Sequence, residues 1–241
     1  MQSNLYVALS GLVALNRRLD SIAHNVANAN TAGFRADGVK FDTLLARRGD
    51  ADVAYASQGR DYISRNAGPV TRTANPFDLA VSGDGFFAVA TPQGVAYTRD
   101  GRVGMNETGE LRSVNDHPLL DAGGAPLTVD PSGGPPAIAR DGMITQNGRQ
   151  VGAVGLFAID RDAVLTRAAN SGVIPDKPAT PILDFGANGV LQGFTEGSNV
   201  NPVTEMTRLI AVQRAFENIS ASLDMADASQ ADAIKALGAT S

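Results

Sequence analysis

The sequence predicts an α+β fold: helices from the two ends of the chain pair as a coiled-coil domain, and the middle forms an antiparallel β domain. Two observations at the ends carry the helical part. Leu5, Leu12, Leu19 and Val26 recur every seven residues, with Ala8, Leu15 and Ile22 three places after the first three. Leu209, Phe216 and Leu223 repeat that interval near the C-terminus, with Val212, Ile219, Ala226 and Ala233 as the companion row. Apolar rows at the a and d positions form the seam of a coiled-coil helix. The third observation is the loss of helical period between about Gly59 and Phe194, where short β-prone stretches alternate with turn-forming residues.

The first helix is expected to run to the polar cluster Asn28, Asn30 and Thr31, with Gly33 as a stop. At 1.5 Å per residue it spans roughly 40 Å. Residues from about Asp37 to Arg60 keep no clean period and are expected as an extended connector or irregular arm. The β-prone stretches Leu79-Ala80-Val81, Phe86-Phe87-Ala88-Val89 and Val154-Gly155-Leu156-Phe157 are set among turn signals. Those signals are Gly83-Asp84-Gly85, Asp100-Gly101, Pro131-Ser132-Gly133-Gly134 and Asn147-Gly148. A sandwich-like or barrel-like arrangement follows, with a loop around Gly124 to Pro136. Asn201-Pro202 reads as an N-cap followed by proline at the first helical position, and Gly238 stands where a C-terminal cap belongs. The expected domains are 1–35 with 200–241 as the terminal-helix assembly domain, 36–75 as connector and 76–199 as a β-rich outer domain. Several seam positions are alanine and bury little area. A helix pair open on its other sides is marginal, so the ends are expected to gain their order on assembly.

Composition narrows the function. A chain of 241 residues can build one sizeable core or two small ones, but aromatic residues make up only 5% and Trp is absent, which favours several thin elements. A net charge of −5 argues against nucleic acid or anionic membranes as partners, since both need a basic face. The absence of Cys excludes disulfides, thiolate chemistry and Cys-based metal sites. No apolar run approaches the roughly 18 residues of a membrane span, so membrane insertion is not expected. Leu5 to Leu15 followed by Ala27-Asn28-Ala29 imitates a signal peptide. However, Met1-Gln2-Ser3-Asn4 lacks positive charge, and Arg17, Arg18 and Asp20 fall where a signal stays uncharged, so no cleavable signal is expected.

Catalytic patterns are missing. His24 and His117 are the only histidines, without metal-ligand spacing, and both read as surface, interface or turn residues. Gly83-Asp84-Gly85 leads into a strand, whereas a dinucleotide fingerprint leads into a helix. Asp78 with Asp84, or Asp160 with Asp162, are carboxylate pairs of the kind a glycosidase uses, yet no aromatic subsite accompanies them. No catalytic residue, cofactor or metal is therefore expected. The rival to a structural protein is a secreted carbohydrate-binding or peptidoglycan-acting β domain with helical tails.

Three stretches together resemble the signatures of one family. The first is Ser10-Gly11-Leu12, continued by Leu19-Asp20-Ser21-Ile22-Ala23-His24-Asn25-Val26-Ala27-Asn28-Ala29-Asn30-Thr31-Ala32-Gly33-Phe34. The second is Asn75-Pro76-Phe77-Asp78-Leu79-Ala80-Val81-Ser82-Gly83-Asp84-Gly85-Phe86-Phe87 with Tyr97-Thr98-Arg99-Asp100-Gly101. The third is Glu196-Gly197-Ser198-Asn199-Val200-Asn201 with Glu205-Met206 and Gln213-Arg214-Ala215-Phe216-Glu217. In order and spacing they are similar to the bacterial flagellar basal-body rod and hook proteins, and Asn4 to Gly11 looks more like the proximal-rod branch than the distal one. His24 stands where many members of that family have Asn. The resemblance implies a coiled-coil inner domain, a β-rich outer domain, and helical polymerisation around an export channel in the rod that crosses the periplasm. Implied partners are other copies, neighbouring rod proteins and the flagellar export apparatus. On that reading Leu5, Leu12, Leu15, Leu19, Ile22, Val26, Leu209, Val212, Phe216, Ile219 and Leu223 pack within and between subunits. Gln213 and Arg214 set register. Asn25, Asn28 and Asn30 either satisfy the helix end and its neighbours or simply terminate the helix.

Overall fold

The computed structural model describes residues 2–48, 51–57, 59–169 and 171–238, with side chains from residue 6 onward except at 43–48, 51–56, 226, 227, 230, 232–234 and 236–238. The chain divides into two compact units. One contains Met1–Ala27, Asp37–Tyr62 and Asn201–Ser241, and the other contains Asn28–Ala36 and Ile63–Val200.

In the first unit, helix α1 spans Gln2–Ala27 and helix α2 spans Pro202–Gly238. The start of α2 follows from local chemistry. Asn201 Oδ1 accepts from the backbone N–H of Val203 at 3.1 Å and Thr204 at 3.2 Å, which satisfies donors that have no intrahelical acceptor. Pro202 fills the first helical position, where a missing N–H costs nothing. The two helices pack against each other. At Gly11 they come close enough that a side-chain carbon would lie 3.7 Å from Ile219 Cδ1. Four strands occupy the sequence between Asp37 and Ile63, the stretch expected as an irregular arm. They are β1 (Asp37–Lys40), β2 (Thr43–Arg48), β3 (Ala51–Ala56) and β4 (Arg60–Ile63). β2 pairs antiparallel with β3, β1 pairs with β4, and α1 lies against β1 and β3.

The second unit is the β domain. Its strands are β5 (Val70–Arg72), β6 (Asp78–Ser82), β7 (Phe86–Thr91), β8 (Gly94–Thr98), β9 (Gly101–Met105), β10 (Leu111–Ser113), β11 (Ala137–Ile138) and β12 (Met143–Gln146). They continue with β13 (Arg149–Ala153), β14 (Leu156–Ala158), β15 (Leu165–Arg167), β16 (Val173–Pro175), β17 (Thr180–Pro181), β18 (Gly189–Gln192) and β19 (Phe194–Glu196). A six-stranded sheet runs in the order β15-β16-β8-β7-β14-β17, a four-stranded one in the order β10-β9-β6-β18, and β11-β12-β13 form a third. β19 pairs with β5 alone. The strands pair antiparallel throughout.

The largest of three apolar clusters among the described residues joins these layers. Leu79 and Val81 of β6, Phe87 and Val89 of β7, Leu111, Ile144, Leu156 and Val190 are all buried in it. Each such side chain contributes about 1.5–3 kcal/mol of apolar burial, so many short aliphatic strands replace the missing aromatic mass. The Asn147-Gly148 turn closes β12 on β13 with φ of 52° and 72° and Gln146 opposite Arg149, the two-residue hairpin that this dipeptide favours. The stretch expected as a loop around Gly124 to Pro136 contains no strand, yet it is tied to the sheet. Leu127 and Val129 are buried, and Leu127 exchanges backbone hydrogen bonds with Leu119 and Leu111 at 2.9 Å. Alternate residues point inward because their backbone groups find partners on the sheet.

Candidate functional site

The helices of the first unit each carry two apolar rows. The inner row of α1 is Leu12, Leu15 and Leu19, half-buried, leading to buried Ile22. On α2 it is Leu209, Ile219 and Leu223, half-buried, with buried Val212 and Glu205. Glu205 receives Arg208 Nη1 at 2.6 Å and lies in the first turn, where a carboxylate is favoured by the helix dipole. The outer row of α1 is Tyr6, Leu9 and Val13, at 56, 53 and 46% exposure, and that of α2 is Val203, Met206 and Ile210. At 3.6 residues per turn each outer row sits roughly 140° round from the inner one. An apolar row spaced three and four apart that stays about half exposed or more is the mark of a partner surface.

The end of α1 is held by side chains that replace a sheet ladder. Buried Asn25 donates through Nδ2 to Asp37 O at 2.8 Å, and its Oδ1 accepts from Asp37 N at 2.8 Å. Ser21 Oγ donates to the same carbonyl at 3.0 Å, and His24 Nδ1 meets the Asp37 carboxylate. Replacing Asn25 by alanine takes the side-chain acceptor from Asp37 N and leaves the Asp37 carbonyl to Ser21 Oγ. The expected loss is about 2 kcal/mol of stability by urea denaturation of the full chain.

Within the second unit, three remote stretches are tied around one buried carboxylate. Glu196 Oε1 lies 2.8 Å from Arg35 Nη2, and Oε2 accepts from Arg99 Nη1 at 3.1 Å. All three side chains are almost completely buried. Glu196 Oε1 also accepts from Gly68 N at 3.0 Å, and Glu196 O accepts from Gly33 N at 2.8 Å. Asn199 bridges the same stretches, with Oδ1 on Ala36 N at 2.7 Å and Nδ2 on Asn66 O at 2.8 Å. Two glycines permit the approach. Gly33 has φ of +66°, and a Cβ there would sit 2.2 Å from Asp100 N. A Cβ on Gly68 would sit 2.0 Å from Gly197 O.

Electrostatically the cluster is expensive. Loss of water pulls the Arg35 guanidinium down to about 10, further than Glu196 restores it, and Arg99 pushes the same way. Burial likewise lowers Arg99. The Nε atoms of Arg35 and Arg99 find no acceptor among the described residues. Arg99 and Arg167 recover some of the cost by lying over the rings of Phe86 and Phe34, at 4.8 and 4.4 Å. Such a triad fixes geometry more than it adds stability.

The sequence-predicted residues fall in three groups. Leu12, Leu15, Leu19, Ile22, Leu209, Val212, Ile219 and Leu223 lie on the facing rows, with Val26 half-buried at the end of α1. Phe216, expected in the same seam, is 40% exposed, and Gln213, Arg214 and Asn30 are exposed too. The side chain of Leu5 lies outside the described residues. Asn28 accepts from Thr31 Oγ1 at 3.2 Å in the turn after α1. Sequence reasoning missed the outer rows, although their spacing is legible once a second row is sought. It also missed Arg35, Arg99 and Glu196 as a unit, for which no local signal exists.

Residues 5–35 match the family model for flagella basal body rod proteins, residues 80–148 that for the flagellar hook protein FlgE/F/G D1 domain, and residues 191–236 that for the flagellar basal body rod FlgEFG protein C-terminal region. The flagellar basal-body rod protein FlgF of Mesorhizobium japonicum is 52% identical over 241 residues, covering all of both chains. The FlgF of Rhizobium meliloti is 44% identical over 99% of each chain, and the FlgG of Bacillus subtilis 29% identical over 94% of this chain and 96% of its own.

Proposed function

This chain belongs to the flagellar basal-body rod protein family and is a structural subunit of the rod, and from that premise we infer that it assembles through the helices at its two ends. The inner rows pair α1 with α2 as a coiled coil, and the outer rows bind the helices of neighbouring copies and of other rod proteins. A heterologous contact repeated with a rotation and a rise gives an open helical array, which suits a rod that carries torque around a channel. The terminal segments 1–35 and 200–241 then serve as the assembly part of the subunit. The chain reaches the rod through the flagellar export apparatus, and it works as a scaffold with no catalytic step. Among the described residues no helix is long and apolar enough to cross a membrane.

One observation carries this reading: Tyr6, Leu9 and Val13, with Val203, Met206 and Ile210, form apolar rows that stay about half exposed or more. Amide hydrogen exchange on the dilute full chain and on assembled rods tests it. Amides of α1 and α2 are expected to exchange rapidly in the monomer and to become protected on assembly. Protection of both helices in a verified monomer that does not rise on assembly would contradict helix-mediated polymerisation.

A further inference from the structure

The β domain has a groove that the helical assembly does not use. It encloses about 430 Å³ and is lined by Arg72, Ala74, Pro76, Gln192, Gly193 and Phe194. Arg72 and Phe194 stand directly opposite on the β5–β19 ribbon, so their side chains share a face. Gln192 is a fixed wall: its Nε2 donates to Pro76 O at 2.9 Å and Pro136 O at 2.8 Å, and its Oε1 accepts from Ile138 N at 3.0 Å. Ala74 has φ of +61°, an unusual conformation for a residue with a Cβ, held by its N–H on Gly193 O at 3.1 Å. Strain of that kind collects at binding clamps. Arg72 has no ion-pair partner among the described residues, so the groove combines the apolar Ala74, Pro76 and Phe194 with the fixed amide of Gln192 and one cation.

Elsewhere on the same domain an exposed apolar side chain stands beside a carboxylate. Leu183, just after β17, is 84% exposed, more than any other large apolar side chain described. Its neighbour Asp184 accepts only from Gly186 N at 2.9 Å and has no cationic partner among the described residues. We propose that Leu183 of one copy enters this groove on the next copy, with Asp184 pairing with Arg72, as a second contact between subunits. A knob and a groove at different places on one surface make a heterologous contact that propagates without closing. The volume suits one leucine and a flanking carboxylate. The contact rests on the polymerisation proposed above and adds the β domain to it.

Charge exchange in the full chain tests the pairing. Arg72→Asp alone and Asp184→Arg alone are each expected to weaken self-association about tenfold in sedimentation velocity, and the double variant to regain it. Leu183→Ala is expected to weaken it about tenfold as well, with unchanged melting temperature. Because the chain has no Cys, Arg72→Cys mixed with Asp184→Cys is expected to give a disulfide-linked dimer under mild oxidation. Absence of that dimer together with failure of the double variant to recover would overturn the contact. If those variants are neutral while changes in the outer helical rows still abolish assembly, only this contact fails. If the helical changes are neutral as well, the assembly reading fails with it.

Discussion

Replacing Glu196 by alanine is expected to destabilise the β domain by about 3–5 kcal/mol, the cost of removing one member of a buried ion cluster. Among the described residues the carboxylate is the one anion in ion-pair contact with Arg35 and Arg99, with Asp84 acting on both from farther away, and both guanidinium groups are buried. Without it two cations remain in a dry environment that already lowers Arg35 to about 10, and Gly68 N loses its acceptor. Glu196→Gln keeps the shape and an acceptor oxygen but not the charge, so its loss is expected to be smaller than that of alanine. Urea unfolding of the full chain followed by tyrosine fluorescence measures both. A loss below about 1 kcal/mol for alanine would mean that water reaches the cluster and that the burial does not govern its energetics.

Ile210→Glu is expected to weaken self-assembly about a thousandfold while the monomer folds normally. Ile210 is 52% exposed in the single chain, so a carboxylate there stays hydrated until a neighbouring copy covers it. Covering it forfeits about 1.5–3 kcal/mol of apolar burial and adds the desolvation of an unpaired charge, together about 4 kcal/mol, and every 1.4 kcal/mol is tenfold. Tyr6→Glu on the matching row of α1 is expected to act in the same direction. Filament formation scored by sedimentation, beside an unchanged melting temperature, is the readout. Assembly of Ile210→Glu at the unmodified protein's concentration would remove the outer row of α2 from the interface.

What was legible in the sequence was written within a few turns of chain. A seven-residue row shows itself over about twenty positions, and so Leu12, Leu19, Val212 and Ile219 could be placed on helices from spacing alone. Asn201-Pro202 marked the start of α2 because capping involves only the next three residues. Asn147-Gly148 marked a hairpin because the required φ values are local. The strands of residues 37–63 gave no such signal, and the buried Leu127 and Val129 were hidden in a stretch rich in Gly and Pro.

The sequence by itself therefore determined the α+β division, the family, and the existence of apolar helices at both ends. Only the tertiary structure decided which apolar row of each helix turns inward, because α1 packs at once against α2, β1 and β3 while Tyr6, Leu9 and Val13 stay about half exposed. Only the tertiary structure, too, joined Arg99 to Glu196 across 97 positions. A buried charge pair is an expense that local patterning cannot reveal, since the cation and the anion that make it tolerable come from different parts of the chain and meet only after the β domain has closed around them.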